Sequence, residues 1–259
     1  MIPSLLLSIS EVPPSGWEEG TLLFALWRNL LYADRYMMLL RGLAITVQAA
    51  LGALVLGILL GFLTALMKLS PLKVKITQKK NFYPLRSIAS LYTTIVRGIP
   101  MVVQLMIMYF IVFVSIDNTL QIRTPQLLIA VIAFGINSGA YVSEIFRASI
   151  LSVDHGQTEA GRSVGLSSVQ TMRLIILPQA FKNALPTLCN EFILLFKETA
   201  IVGYIGMADL TKAGDIIRSR TYSAFIPLLT VAIVYLVIVI ILTWIFGKLE
   251  RRLRKGDSR

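Results

Sequence analysis

Residues 221–247 read TYSAFIPLLTVAIVYLVIVIILTWIFG, an apolar run that carries no charge between Arg220 and Lys248. A helix rises ~1.5 Å per residue and the hydrocarbon core of a bilayer is ~30 Å thick, so about 20 apolar residues cross it. This run is long enough. A second, GLAITVQAALGALVLGILLGFLTALM, lies between Arg41 and Lys68. Its glycines Gly52, Gly57 and Gly61 predict a face on which another helix packs closely. Two more runs lie between Arg97 and Asp117, in a helix that begins before Arg97 near Ile88, and between Arg123 and Glu144, continuing to Ile150. A weaker stretch, 184–205, contains Glu191, Lys197 and Glu198. It reads as a span packed inside the bundle, because charged groups at depth must face protein or water. The expected fold is an all-α membrane protein with five transmembrane helices.

Composition points the same way. Of 259 residues, 56% are hydrophobic and 15% charged, with a mean hydropathy of +0.73. Soluble domains are roughly 45–50% apolar and about 25% charged, so a soluble enzyme, a disordered tail and a fibrous repeat are excluded. The single cysteine, Cys189, cannot form an internal disulfide, and with the single histidine, His155, it makes a zinc site unexpected. The opening MIPSLLLSISEVPPSGWEEG has no basic segment before its apolar residues, so no cleaved leader is expected.

The formal charge of +11 is a topology signal rather than a nucleic-acid patch. Lys68, Lys73, Lys75, Lys79, Lys80 and Arg86 stand between the first two spans with no acid among them. Lys248, Arg251, Arg252, Arg254, Lys255 and Arg259 follow the last span against Glu250 and Asp257. Both segments are expected in the cytoplasm. Glu11, Glu18, Glu19 and Asp34 against Arg28 and Arg35 place the N-terminus outside. The chain then divides into an extracytoplasmic segment 1–36, a transmembrane domain 37–247 and a basic cytoplasmic tail 248–259. The loop 152–182 faces the cytoplasm.

Within that loop, residues 154–182 read DHGQTEAGRSVGLSSVQTMRLIILPQAFK. Asp154 with Gln157 predicts a capping box at the start of a short helix, and Gly165 suits the left-handed residue that ends it. Ser167 with Gln170 repeats the start signal, and Pro178 marks a further break. The small residues Ala160, Gly161 and Ser163 would let a partner's groove approach. Alternatively the loop is an ordinary helical hairpin between spans.

Here the chain resembles a known family. Glu159-Ala160-Gly161, Gly165 after three residues, Ile175 after nine more and then Leu177-Pro178 match the cytoplasmic "EAA" loop of ABC importer permeases, with Gly161 in place of the second alanine. RGIPMVVQL from Arg97, NSGAYVSEIFRA from Asn137, LPQAFKNALPTLCNEFILLFKET from Leu177 and IGMADL from Ile205 are similar to the histidine/arginine/glutamine/glutamate branch. The resemblance runs from about Leu40 to Arg252. It implies the type I permease fold in the cytoplasmic membrane, a second permease copy, two ABC ATPase subunits and an extracytoplasmic amino-acid-binding protein. It also implies that Glu159, Ala160, Gly161, Ser163, Gly165, Leu177 and Pro178 form a coupling helix seated on the ATPase. The chain has no G-x-x-x-x-G-K-[ST] phosphate loop, since Gly247-Lys248 lacks both the spaced glycine and the hydroxyl. It is therefore expected not to be an enzyme; ATP and Mg²⁺ would be bound by the partner.

Candidate substrate residues follow from helical spacing. Asn137, Tyr141 and Glu144 recur at i, i+4 and i+7 on one face, with Ser138 and Gly139 able to loosen the helix there. Counted from Pro125, Asn137 lies ~18 Å along the helix, near the bilayer midplane. Glu144, Asn137 and Ser138 could accept from an ammonium, and Arg97 or Gln104 could donate to a carboxylate. Gly98 and Pro100 predict irregular backbone beside them. Other roles are open: Glu144 can pair with Arg147 or Lys197, and Asn137 can bond between helices. Glu191, Lys197 and Glu198 read as a structural or gating network. A cavity acid favours arginine, lysine or histidine as substrate, with glutamine, glutamate or another polar amino acid as alternatives. A channel or scaffold subunit without an ATPase is the competing class.

Overall fold

A computed structural model of the chain describes residues 13, 16–70, 72–77 and 80–254. Most of the segment before Gly16, with Glu11, lies outside the described residues, as do Lys79, Lys255, Asp257 and Arg259. The chain enters through α1 (Leu22–Leu26), a π-turn at Trp27–Leu31 and a 3₁₀ turn at Tyr32–Asp34. The elements that follow are α2 (Arg35–Leu69), a hairpin of β1 (Val74–Thr77) and β2 (Lys80–Phe82), α3 (Pro84–Gly98), α4 (Met101–Leu120) and α5 (Gln126–Leu151). Then come α6 (His155–Ser163), α7 (Ser168–Thr171), α8 (Leu177–Glu198), α9 (Leu210–Thr221) and α10 (Phe225–Arg254).

Among the described residues, four helical segments are long and apolar enough to cross a membrane: Leu22–Leu69, Met101–Leu120, Gln126–Leu151 and Phe225–Arg252. The fifth expected span is α8 with its 3₁₀ extension Thr199–Ile205. Its charges keep it below that threshold, and its apolar side chains Ala184, Leu188, Leu195 and Phe196 are buried in the bundle. The outer helices show the reverse pattern. Leu51, Val55, Leu59 and Leu63 on α2, and Leu236, Ile240 and Trp244 on α10, are exposed. In a membrane protein such stripes face lipid tails.

The centre is the seam between α2 and α5. Lipid tails are as apolar as leucine, so close van der Waals contact rather than water exclusion holds such helices together. The expected glycine face supplies that contact. A Cβ at Gly61 would lie 2.5 Å from Val142 Cγ1, and one at Gly57 would lie 2.9 Å from Ser138 Oγ. Glycines of α5 answer: a Cβ at Gly135 would lie 2.6 Å from Leu56 Cδ2. Contact positions rise together along both helices, Gly52 with Val131 and Gly61 with Val142, so α2 and α5 run parallel. Both therefore end at the side from which the 152–182 loop projects.

The structure departs from the sequence expectations at several points. The span expected to start near Ile88 and run on past Arg97 is two helices, broken at Gly98–Pro100, because Pro100 has no N–H to continue α3. The two-stranded hairpin, with Val74 opposite Phe82 and Lys75 opposite Asn81, is a small β element in an otherwise helical chain. Its VKIT strand has the β-branched content that favours extended backbone. Pro178 does not break the chain. A π-turn at Met172–Ile176 carries the helix from α7 into α8, and Pro178 falls in the first turn of α8 where a missing N–H is tolerated. Asp154 caps α6 by accepting from Gly156 N at 2.6 Å and forms no box with Gln157; the capping box is present at Ser167 and Gln170.

Candidate functional site

The face predicted on α5 meets three other helices. Asn137 and Ser138 are buried, and Tyr141 is 38% exposed. Helix α5 is unbroken at Ser138–Gly139. Gly139 instead leaves room for Leu60 and for Tyr92, whose hydroxyl donates to the Ile136 carbonyl at 2.5 Å. From α8, Glu191 Oε1 accepts from the Ser138 hydroxyl at 3.1 Å. From α3, the Arg97 guanidinium lies 5.1 Å from the centre of the Tyr141 ring, a cation–π contact. Ser138 and Tyr141 are one turn apart, so Glu191 and Arg97 flank a single turn of α5.

Glu144, one turn further along, is fully engaged. Lys68 of α2 donates to its Oε1, and Arg147 Nε donates to Oε2 at 2.8 Å. The Lys68 ammonium also donates to Thr93 Oγ1 of α3 at 2.7 Å. Of the two pairings open to Glu144 in the sequence, Arg147 is made. The second partner is Lys68 rather than Lys197. This cluster lines a cavity of about 560 Å³ with Ser70, Arg86 and Ser90. One signal for it was present in the sequence. Arg86, Ser90, Thr93 and Arg97 recur at i, i+4, i+7 and i+11, a polar stripe opposite the exposed Ile88, Leu91 and Ile95.

Gln104 serves the helix break. Its amide donates to the Val96 carbonyl at 2.6 Å and to the Ile99 carbonyl at 2.7 Å, satisfying acceptors left open where α3 ends. No neighbouring atom lies within contact distance of a Cβ placed at Gly98.

The 152–182 loop forms a compact knob. Gly165 has φ +87°, the left-handed conformation that glycine adopts without a Cβ penalty. Gly161 is buried, and a Cβ there would lie 2.7 Å from Thr171 Cγ2 and 2.9 Å from Ile175 Cδ1. Its small size therefore seats α6 on the following helix, not on an outside groove. Glu159, Ala160 and Ser163 are exposed, as are Val164 and Val169, both at 76%. His155 and Glu159 pair on the solvent side at 3.2 Å. Among the described residues no group of three or more His, Cys, Asp or Glu side chains could hold a metal ion.

Comparison with known proteins gives this geometry a context. Residues 57–255 match the family model described as "Binding-protein-dependent transport system inner membrane component". The arginine transport system permease protein ArtQ of Bacillus subtilis is 39% identical over 219 residues, 85% of this chain and 94% of its own length. A putative glutamine transport system permease protein GlnP of Rickettsia prowazekii is 36% identical over 224 residues, covering 86% and 96%. Among solved structures, an amino acid ABC transporter with histidines superposes with a TM-score of 0.73 at 40% identity, covering 84% of this chain and 94% of that one.

Proposed function

The chain belongs to the family of binding-protein-dependent transport system inner membrane components, and from that premise we propose how this permease of a polar amino-acid ABC importer handles its substrate. The observation that carries the proposal is the turn of α5 flanked by Glu191 and Arg97. An amino acid presents an ammonium and a carboxylate a few ångströms apart, and buried charges must be paired. Glu191, which accepts from the Ser138 hydroxyl, has acceptor capacity left for the ammonium. Arg97, stacked on Tyr141, keeps its donors for the carboxylate. Asn137 and Gly98 complete the lining. Gln104 holds the backbone break that positions Arg97. Glu144 with Lys68 and Arg147 acts as a latch at the inner end.

An acid at depth favours a basic substrate, in line with the relative named for arginine; the relative named for glutamine supports an uncharged side chain instead. Transport follows alternating access between two permease copies. The exposed knob, through Glu159, Ala160, Ser163, Gly165, Leu177 and Pro178, docks on an ATPase that binds ATP and Mg²⁺, while Gly161 braces it from within. The N-terminus lies outside with the binding protein, and the basic tail lies inside.

The test is reconstitution with the ATPase and binding protein in liposomes, followed by ATP-driven uptake of arginine, lysine, histidine, glutamine, cystine and leucine. The expected result is uptake of the basic amino acids at least about tenfold above glutamine, a difference of ~1.4 kcal/mol. Glutamine above arginine would overturn the basic preference. Uptake of none of the polar amino acids would overturn the transport reading.

A further inference from the structure

A separate cluster of charge lies at the opposite end of the bundle. Arg28, Arg35 and Arg220 line a cavity of about 330 Å³ together with Trp27, Tyr32 and Thr221, and among the described residues no carboxylate lines it. Three like charges gathered around one cavity repel one another, so the arrangement wants an anion. The backbone works to build it. Ala33 and Asp34 both sit at φ 52°, an uncommon conformation for residues with a Cβ. That turn carries Arg35 back over the Tyr32 ring, 5.1 Å from its centre, and Arg35 Nη1 donates to the Arg28 carbonyl. Arg220 closes the cavity from the last turn of α9, with Met38 Sδ 4.0 Å from its Nη1.

The depth of this cavity identifies its ligand. Helix α2 begins at Arg35 and α10 at Phe225, so these arginines lie where two apolar spans enter the hydrocarbon. Aromatic side chains, here Trp27 and Tyr32, are characteristic of that level. The neighbouring sequence positions Leu22, Leu23, Leu40 and Phe225 are 64%, 51%, 54% and 71% exposed, an apolar surface suited to acyl chains. Arginine forks match phosphate oxygens two at a time. We propose that Arg28, Arg35 and Arg220 bind the phosphodiester headgroup of an anionic phospholipid in the leaflet opposite the 152–182 loop.

The experiment titrates the full-length permease, purified in the complex it forms, with phosphatidylglycerol or phosphatidylcholine of identical chains, and counts bound lipid by native mass spectrometry. The wild type should hold one phosphatidylglycerol per chain about tenfold more tightly than phosphatidylcholine. Arg220→Gln and Arg28→Gln should each weaken that lipid about fivefold, the effect expected of one interfacial arginine. Arg220→Lys should retain most of the binding. Arg28→Gln keeps the backbone carbonyl that Arg35 uses, so it reads the site even where Arg220→Gln fails to assemble. Equal retention of the two lipids, or unchanged phosphatidylglycerol binding in both glutamine variants, would overturn the proposal. So would displacement of the lipid by millimolar inorganic phosphate, which would assign the site to a soluble anion. Displacement by the binding protein would assign it to an acidic protein surface.

Discussion

Two carboxylates meet at one face of α5, Glu144 from the helix itself and Glu191 from α8, and are treated differently. Glu144 is held by Lys68 and Arg147, with Arg147 at 2.8 Å, and Lys68 itself is anchored to Thr93. Glu191 receives one hydroxyl bond, from Ser138 at 3.1 Å. The first group has its charge matched from within the chain and ties α2, α3 and α5 together at one end of the bundle. Among the described residues the second is paired with no cation, and the proposed site rests on that difference. A charge at depth is informative through what remains unpaired, not through its presence alone.

The largest effect should come from breaking the matched pair. Lys68→Met removes the charge-assisted bonds to Glu144 and Thr93, leaves Glu144 on Arg147 alone and should cost about 2–3 kcal/mol. Thermal unfolding in detergent would show it as a lower midpoint. The double variant Lys68→Met/Glu144→Leu should recover most of that loss, and a double variant as unstable as the single one would break the latch reading.

The next effect bears on Glu191. Gly57→Ala places a methyl 2.9 Å from Ser138 Oγ, so the Ser138 side chain that bonds Glu191 must shift. Overpacking of this kind costs about 1–3 kcal/mol. The KM for the transported amino acid should rise while the Lys68 variants behave as before. Unchanged KM would show that Ser138 does not position Glu191. Smallest should be Ser138→Ala, which removes one hydrogen bond of about 1 kcal/mol and should change KM by about fivefold without altering kcat.

The parts of this molecule that local chemistry determines were legible in the sequence. The apolar runs marked four spans, and the charges inside 184–205 marked a fifth as interior. Gly52, Gly57 and Gly61 marked the α2–α5 seam, and Gly165 marked the left-handed end of α6. Features that depend on distant partners were not legible. Lys68 and Glu144 are 76 residues apart, and nothing local selects Lys68 over Lys197. Arg28 and Arg35 meet Arg220 through the packing of α9 against both α2 and the Trp27–Leu31 turn. Local punctuation was overruled where the backbone had another way to satisfy itself. A π-turn absorbed Pro178, while Gly98–Pro100 did interrupt the helix and drew Gln104 in to cap it.

The contrast between the two carboxylates is tested most directly by initial rates of ATP-driven arginine uptake in the reconstituted complex. Wild type, Glu191→Gln and Glu144→Gln would be compared at matched protein insertion. A charge-assisted bond is worth about 1.5–3 kcal/mol, so Glu191→Gln should lower kcat/KM at least about tenfold. Glu144→Gln, compared at matched insertion, should change it by less than about threefold, because Glu144 is paired within the chain rather than with the substrate. A tenfold loss in Glu144→Gln with normal uptake by Glu191→Gln would contradict the account and return the substrate's ammonium to Glu144.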